Sequence, residues 1–161
     1  MAAKKPKKKA VARRRAPKKA KAAAKKVRAG SGAPNLTEAS PSFTANDLEK
    51  SLAWDRDVVG FAVEERYERD GKLAGVGLRA GNVFLMLGQD DWKKGRDRQK
   101  GQGFRIYCMT TQDVDAMADR IRRAGGVLDQ EPKDQPWGMR DFSLTDPDGF
   151  KITIGKELKK R

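Results

Sequence analysis

The sequence has no histidine and only one cysteine among its 161 residues. Without histidine the chain cannot form a Ser-His-Asp triad or a Cys-His pair, which are common arrangements for nucleophilic catalysis. The single cysteine, Cys108, excludes a disulfide within the chain, and this is typical of a reducing compartment. We therefore expect a cytoplasmic protein that has no histidine-based chemistry.

Long apolar runs and aromatic residues are also scarce. No apolar stretch approaches the roughly 20 residues that a membrane-spanning helix needs. The basic N-terminus is not followed by the apolar segment of a secretory signal. Aromatic residues make up 7% of the chain. None of them lies among the first 28 residues, so stacking on nucleic-acid bases is not expected there.

Acidic residues are absent from residues 1–28, which contain fourteen of the 36 Lys and Arg. The rest of the chain carries 22 residues of each sign, so the net charge of +14 belongs to this tail. Repulsion between like charges, together with Pro6 and Pro17, predicts a disordered tail at 1–28, followed by a flexible linker at 29–39. The composition of the tail resembles the C-terminal tail of linker histones.

Such a tail is expected to bind DNA or another polyanion by releasing counterions, without sequence specificity. It predicts association with the nucleoid, and a purely solubilising arm is the alternative. The predicted nucleic-acid-binding residues are its fourteen basic side chains: Lys4, Lys5, Lys7, Lys8, Lys9, Arg13, Arg14, Arg15, Lys18, Lys19, Lys21, Lys25, Lys26 and Arg28.

From residue 40 the hydrophobic pattern predicts a folded domain that ends near residue 155, before a basic end at 156–161. Residues 40–88 and 104–154 both show a strand, a helix and three further strands. Asn46 or Asp47 can begin the first helix, and Gly60 ends it. A polar, glycine-containing connection separates the two modules and is a candidate loop over a cavity.

This duplicated order, with the stretches "DLEKSLAWDRDVVGF" and "PWGMRDFSLTDPDGF", resembles the vicinal oxygen chelate superfamily. That superfamily includes glyoxalase I, extradiol dioxygenases, and fosfomycin- and bleomycin-resistance proteins, and the second stretch is most similar to the bleomycin-resistance branch. The resemblance implies an α+β fold in which two βαβββ modules form a cup-shaped sheet. It also implies a small-molecule ligand inside the cup and a homodimer.

Metal-using members of this superfamily bind a divalent cation through His, Glu or Gln side chains on strands of both modules. Carried over by position, the ligand sites fall on hydroxyl, alkyl or cationic residues: Ser40 or Ser42, Leu85 or Met86, Arg105 or Ile106, and Thr153. Such side chains do not bind a divalent cation tightly. We therefore expect no metal, no other cofactor and no metal-dependent glyoxalase or dioxygenase activity.

Other candidates for catalysis have simpler interpretations. Cys108 lies in an apolar strand and is interpreted as a small buried residue rather than a nucleophile. Asp146 and Asp148 flank a proline just before Gly149, where aspartate and glycine are typical of a turn. No catalytic residue is predicted.

The predicted ligand pocket follows from the superfamily resemblance and from the alternation of side chains along strands. It combines a polar floor with aromatic walls, and each tryptophan has ordinary packing as its alternative. A neutral or anionic aromatic ligand is at least as well supported as bleomycin, because the folded part has no acidic excess. The pocket residues are Ser42, Thr44, Trp92, Arg105, Trp137, Asp141, Ser143, Lys151 and Thr153.

These features predict a metal-free small-molecule-binding protein that sequesters a toxic or aromatic ligand and is tethered to DNA by its tail. One alternative is a lyase or transferase-type enzyme of the same superfamily. The other is a nucleoid-associated structural protein whose folded domain serves as a dimeriser.

Overall fold

The computed structural model describes residues 38–159, so the predicted tail and nearly all of the linker lie outside the described residues. The described part has the predicted α+β class and both βαβββ modules. The first module consists of β1 (Ser42–Ala45), α1 (Leu48–Ala53) with a π-helical turn (Trp54–Val59), β2 (Ala62–Arg69), β3 (Lys72–Ala80) and β4 (Val83–Gln89). The second consists of β5 (Arg105–Met109), α2 (Val114–Arg123), β6 (Leu128–Asp134), β7 (Met139–Thr145) and β8 (Lys151–Glu157).

Each module builds one four-stranded sheet, and the two sheets have the same order: β1-β4-β3-β2 and β5-β8-β7-β6. The first strand of each module runs parallel to its last strand, and the other neighbours are antiparallel. The ladder between β7 and β8 continues to the pair Met139 and Glu157. Strand β8 therefore extends into the segment that the sequence assigns to a separate basic end.

Both helices begin at a capping aspartate. The side chain of Asp47 accepts a hydrogen bond from the backbone N–H of Lys50, and the side chain of Asp113 accepts one from Ala116. These bonds satisfy backbone donors that have no partner within the helix. At the other end of the first helical segment, Gly60 has a left-handed φ of 98° and ends the segment as predicted.

The last turn before Gly60 differs from the regular helix that the sequence predicts. The backbone N–H groups of Gly60 and Phe61 both donate to the carbonyl of Asp55, at 2.9 and 3.0 Å. A bond to the carbonyl five residues earlier makes this a π-helical turn. Asp55 is only 1% exposed there, on the same side of the helix as the buried Val59.

The helices pack on one face of the sheets, and the apolar side chains of both modules form a single core. On α2, Val114, Ala118 and Ile121 are 0% exposed and Met117 is half-buried. Phe142 and Ile152 from the second sheet are also fully buried. We call the opposite side of each sheet, turned away from the helices, its open face.

The turn between β7 and β8 joins the two modules. The Asp146 carboxylate accepts hydrogen bonds from the backbone N–H groups of Asp148 and Phe150, at 3.0 and 2.7 Å. The Asp148 carboxylate accepts one from the backbone N–H of Asn46 at 2.7 Å and one from the Ser51 hydroxyl at 2.6 Å. The stretch is therefore a turn, as predicted, and also a polar link to the first helix.

The connecting segment between the modules is fixed by a buried lysine. The side chain of Lys100 is 1% exposed, and its ammonium lies 2.8 Å from Asp90 and 3.7 Å from Asp148. It also donates a hydrogen bond of 2.6 Å to the side-chain oxygen of Asn46. The hydrogen bond from Lys100, with a second from Arg98, holds the pKa of Asp90 well below its usual value.

Asp55 lies next to this link and forms no ion pair with any residue that the structure describes. Neither of its carboxylate oxygens has a hydrogen-bond partner among the described residues. Burial, with smaller effects from the charges of Asp146 and Asp148, raises the pKa of Asp55 to about 8. Burial also raises the pKa of Asp146 to about 6. Because the pKa of each of these carboxyl groups is higher in the folded chain than in the unfolded chain, the groups stabilise the folded state when they are protonated. This stabilisation is complete below their ordinary pKa of 3.8 and is lost as pH rises through the pKa of the folded state.

We predict that Asp55→Asn removes much of this pH dependence. A single group with such a shift changes the free energy of unfolding by on the order of 1 kcal/mol per pH unit between its two pKa values. The substituted asparagine keeps the shape but cannot lose a proton. Urea unfolding at about pH 5, 6, 7 and 8 should show a flatter profile for the variant and higher stability at the alkaline end.

Asp57→Asn is the matched control, because Asp57 lies in the same turn but is exposed and paired with Arg56. Its profile should follow that of the unsubstituted chain between about pH 5 and pH 8. Parallel profiles for Asp55→Asn and the unsubstituted chain would show that Asp55 does not titrate in this range.

Candidate ligand-binding site

The open face of the second sheet contains a buried carboxylate. Asp141 lies on β7 and is 2% exposed. Its carboxylate accepts hydrogen bonds from the Tyr107 hydroxyl at 2.8 Å, from the Gln130 amide at 3.1 Å and from the Gln135 amide at 2.6 Å. Buried polar groups need such partners. The three donors therefore hold Asp141 and its neighbours in one arrangement.

A glycine in β8 allows the Tyr107–Asp141 hydrogen bond to form. Tyr107 lies on β5 and must cross β8 to reach Asp141 on β7. A Cβ atom at Gly155 would lie 2.5 Å from the Tyr107 hydroxyl oxygen and 2.8 Å from the Asp141 Cβ. Burial, with smaller effects from the hydrogen bond and charge of Asp141, raises the pKa of Tyr107 to about 12. The hydroxyl therefore remains a donor at neutral pH.

Thr153 lies at the centre of the same face. It pairs with Tyr107 on one side and with Ser143 on the other. The residue is 4% exposed, and its hydroxyl has no hydrogen-bond partner among the described residues. A buried hydroxyl without a partner is uncommon in proteins. Thr153 is therefore a candidate hydrogen-bonding group for a ligand on this face.

Cationic and aromatic side chains border this face. Arg105 and Lys151 are exposed and lie opposite each other in the ladder between β5 and β8, at the beginning of both strands. They line a hollow of about 470 Å³ together with residues 100–104. Trp137 is 66% exposed, and its indole is close enough to the Tyr107 hydroxyl to act on its pKa. The second sheet thus brings together six of the nine predicted pocket residues: Arg105, Trp137, Asp141, Ser143, Lys151 and Thr153.

The other three predicted pocket residues belong to the first module and the connecting segment. Ser42 and Thr44 lie on β1, and the Thr44 hydroxyl accepts a hydrogen bond of 3.1 Å from Arg98 in the connection. Trp92 is half-buried, with the guanidinium of Arg96 4.4 Å from its ring centroid. Trp92 therefore packs within the connecting segment, which is the alternative given above for each tryptophan.

Two aromatic rings on the open face of the first sheet are not among the predicted site residues. A Cβ atom at Gly77 would lie 2.8 Å from the ring of Phe84, and one at Gly75 would lie 3.6 Å from the ring of Tyr67. Each ring therefore lies against a stretch of β3 that has no side chain. The alternating glycines of β3 could have indicated this packing from the sequence, because a glycine inside a strand often marks a place where another group approaches the backbone closely.

The strand positions that correspond to metal ligands do not fit a divalent cation. Leu85 is fully buried in the core and Ile106 packs against it, so neither can face a ligand. The remaining positions carry two hydroxyls, a thioether and a guanidinium, none of which is a usual ligand for such a metal. Among the described residues, no group of three or more His, Cys, Asp or Glu is placed to hold a metal ion.

Cys108 is half-buried, and burial raises the pKa of its thiol. A higher pKa lowers the fraction of thiolate, which is the nucleophilic form. This agrees with the interpretation of Cys108 as a packing residue.

We predict that Gly155→Ala disrupts the Tyr107–Asp141 pair. The added methyl group would overlap both side chains, and overpacking of this kind costs about 1–3 kcal/mol. The Tyr107→Phe background removes the hydroxyl that the methyl group meets. The two substitutions should therefore be less than additive in a double-mutant cycle measured by urea unfolding.

Gly88→Ala is the matched control, because the nearest heavy atom to its added Cβ would be 4.0 Å away. It should cost less than Gly155→Ala. Strict additivity of Gly155→Ala and Tyr107→Phe would contradict the steric role of Gly155.

Comparison with known proteins agrees with this architecture. The model of the Glyoxalase/Bleomycin resistance protein/Dioxygenase superfamily matches residues 39–154. A "Probable lactoylglutathione lyase" from Synechocystis sp. is 27% identical over 122 residues, which is 71% of this chain and 91% of that protein.

Solved structures share the fold at lower identity. TioX from Micromonospora sp. ML1 has a TM-score of 0.63 at 21% identity, over 76% of this chain and 100% of that one. TnmS3, an antibiotic binding protein from Streptomyces sp. CB03234, has a TM-score of 0.60 at 23% identity, over 78% of this chain and 99% of that one. The chain belongs to the Glyoxalase/Bleomycin resistance protein/Dioxygenase superfamily, the vicinal oxygen chelate fold.

Proposed function

We propose that this protein binds a small organic molecule on the open face of the second sheet, without a metal. The observation that carries the proposal is the fixed Asp141 carboxylate beside the buried, unpartnered hydroxyl of Thr153. A few aimed polar groups within a largely apolar surface are typical of small-molecule sites. The strand positions that would hold a metal in relatives lack suitable ligands, and this supports binding rather than metal catalysis.

The side chains around this face favour a planar aromatic ligand that is neutral or anionic. Tyr107 and Trp137 are 43% and 66% exposed and offer ring surfaces for stacking. Arg105 and Lys151 place positive charge at the edge of the same face. That a structural neighbour, TnmS3, is an antibiotic binding protein supports a sequestration role.

A thermal-shift series on the full chain tests this proposal. A ligand that binds only the folded state raises the unfolding midpoint in a concentration-dependent way. The additives are Zn²⁺, Ni²⁺ and Mn²⁺, then planar aromatic acids and amides, and then a bleomycin-type antibiotic. We expect a rise with an aromatic compound and none with the metals. A rise with a metal alone would contradict the proposal.

We predict that Thr153→Val weakens binding of the aromatic compound found in that series while leaving the fold intact. Valine has nearly the same shape and removes only a buried hydroxyl that has no partner, so stability should be unchanged or higher. Loss of one hydrogen bond to the ligand should weaken affinity by about two- to tenfold. Isothermal titration calorimetry measures this change.

Thr145→Val is the control, since Thr145 donates its hydroxyl proton to Asp129 at the edge of the sheet and should not contact the ligand. Equal affinity for Thr153→Val and the unsubstituted chain would remove Thr153 from the site.

A metal-dependent lyase of the same superfamily is the second candidate function, because one relative is a probable lactoylglutathione lyase. It predicts formation of S-lactoylglutathione from methylglyoxal and glutathione, and loss of this activity with EDTA. The lack of usual metal ligands at the corresponding strand positions weighs against it.

We further propose that the protein is a homodimer that forms through its exposed apolar side chains. Large apolar side chains remain exposed on one chain: Val63, Tyr67, Phe104, Tyr107, Met109, Val127 and Trp137. Exposed apolar surface of this kind is typical of an interaction site. Sedimentation equilibrium should give twice the mass of the chain, and the mass of one chain would contradict the proposal.

The basic tail is proposed to tether this binding domain to DNA. If every basic side chain met a phosphate, the logarithm of affinity would fall with the logarithm of salt with a slope of roughly −12, as an upper limit. We predict that replacing seven of the fourteen basic residues by glutamine roughly halves the measured slope, because fewer counterions are released. Fluorescence anisotropy with DNA duplexes of two unrelated sequences measures both slope and specificity.

The two duplexes should bind equally, since phosphate contacts carry no base information. A slope unchanged by the substitutions would place the DNA contacts elsewhere. DNA binding together with no response to any organic ligand would favour the structural, nucleoid-associated alternative.

A further inference from the structure

A second and larger cavity lies on the helix side of the sheets, between the two modules. Its volume is about 980 Å³, and it contains none of the predicted pocket residues. It is bounded by the beginning of β2, the turn between β3 and β4, the ends of β5 and β8, and one side of α2. Small-molecule sites commonly have volumes of about 300–1,000 Å³. The cavity is therefore large enough for a complete organic ligand.

The inner wall of this cavity is apolar. Ile152 and Ile154 contribute the core-facing side of β8, and Cys108 contributes the neighbouring position of β5. Met117 from α2 and Phe61 from the first module complete this wall. An aromatic or acyl group placed here would be removed from water, and this favours binding by about 25 cal/mol per Å² of apolar surface.

The outer wall is positively charged. Arg120, Lys156 and Lys159 line it, and Glu157 is the one acidic residue in the lining. Arg120 donates a hydrogen bond of 2.9 Å to the carbonyl of Val59, and this anchors its guanidinium at the cavity.

The positive charge of this wall is incompletely neutralised within the chain. The nearby Asp115 carboxylate is already held by Arg140, through hydrogen bonds of 2.7 and 2.6 Å. Neither Arg120 nor Lys156 belongs to an ion pair among the described residues. The wall can therefore attract an anion.

We propose that this cavity binds an amphipathic organic anion, with its apolar body against the inner wall and its carboxylate or sulfonate near Lys156 and Arg120. The site is separate from the proposed ligand face, because neither Asp141 nor Thr153 lines the cavity. A cationic ligand would be repelled by the positive charge of the outer wall, and a neutral ligand would form no ion pair with it.

Two fluorescent probes that differ mainly in one charge test the proposal on the full chain. The anionic probe is 1-anilinonaphthalene-8-sulfonate, and the neutral probe is N-phenyl-1-naphthylamine. We expect the sulfonate to bind more tightly than the neutral probe. Lys156→Gln should weaken the sulfonate by about two- to fivefold, as for a partly exposed ion pair, and leave the neutral probe unchanged.

Lys72→Gln is the matched control, since Lys72 is exposed on β3 and does not line the cavity. It should change neither probe. Equal effects of the two substitutions would contradict the proposed position of the anionic group, as would equal affinity for the two probes.

The single cysteine gives a readout within the cavity itself. The rate at which iodoacetamide alkylates Cys108 should fall in proportion to the fraction of cavities that hold the sulfonate. Decanoate and 1-naphthoate are then tested as competitors, to distinguish an acyl body from an aromatic one. Protection by either supports the proposal, and protection by none of the anions contradicts it.

Thr153→Val separates this site from the proposed ligand face. It should leave protection of Cys108 by the sulfonate unchanged, because Thr153 does not line the cavity. If Thr153→Val reduces this protection as strongly as Lys156→Gln does, the cavity proposal fails.

Discussion

The packing of the two modules depends on the polar contacts that the Asp148 carboxylate makes between them. It lies in the turn between β7 and β8 and accepts hydrogen bonds from Asn46 and Ser51 at the first helix. The Lys100 ammonium lies 3.7 Å away and ties in the connecting segment. Beside it, the rings of Phe43 and Phe150 stack at 4.2 Å between centroids. Each module alone would expose an apolar face, and this contact closes both faces into one core.

Joining the modules through their helix sides leaves two kinds of surface for binding. The open face of the second sheet carries Asp141 and Thr153, and its arrangement depends on the absence of a side chain at Gly155. The cavity between the modules combines core-facing residues of β8 with cationic residues around Lys156. One strand thus contributes residues to both proposed sites. This follows directly from the alternation of side chains in a β-strand.

Local sequence patterns predicted the parts of this structure that depend on local rules. The N-terminal cap and the glycine end of the first helix follow from capping chemistry, and the placement of Asp141 and Thr153 on one face follows from strand alternation. The burial of Asp55 and Lys100 could not be predicted, because it depends on contacts between segments far apart in the chain. The Tyr107–Asp141 pair depends on the register of three strands. Thr44 and Trp92 contact residues of the connecting segment, and no local sequence pattern predicts where that segment lies.

This chain has the fold of a superfamily that includes metal-using members, and we propose that it binds its ligand without a metal. The most direct test is the metal content of the full chain, purified without chelators and measured by inductively coupled plasma mass spectrometry. We predict far less than one Zn, Ni, Mn, Fe or Co per chain, even after incubation with each ion and removal of the excess. A content near one ion per chain or per pair of chains would contradict it.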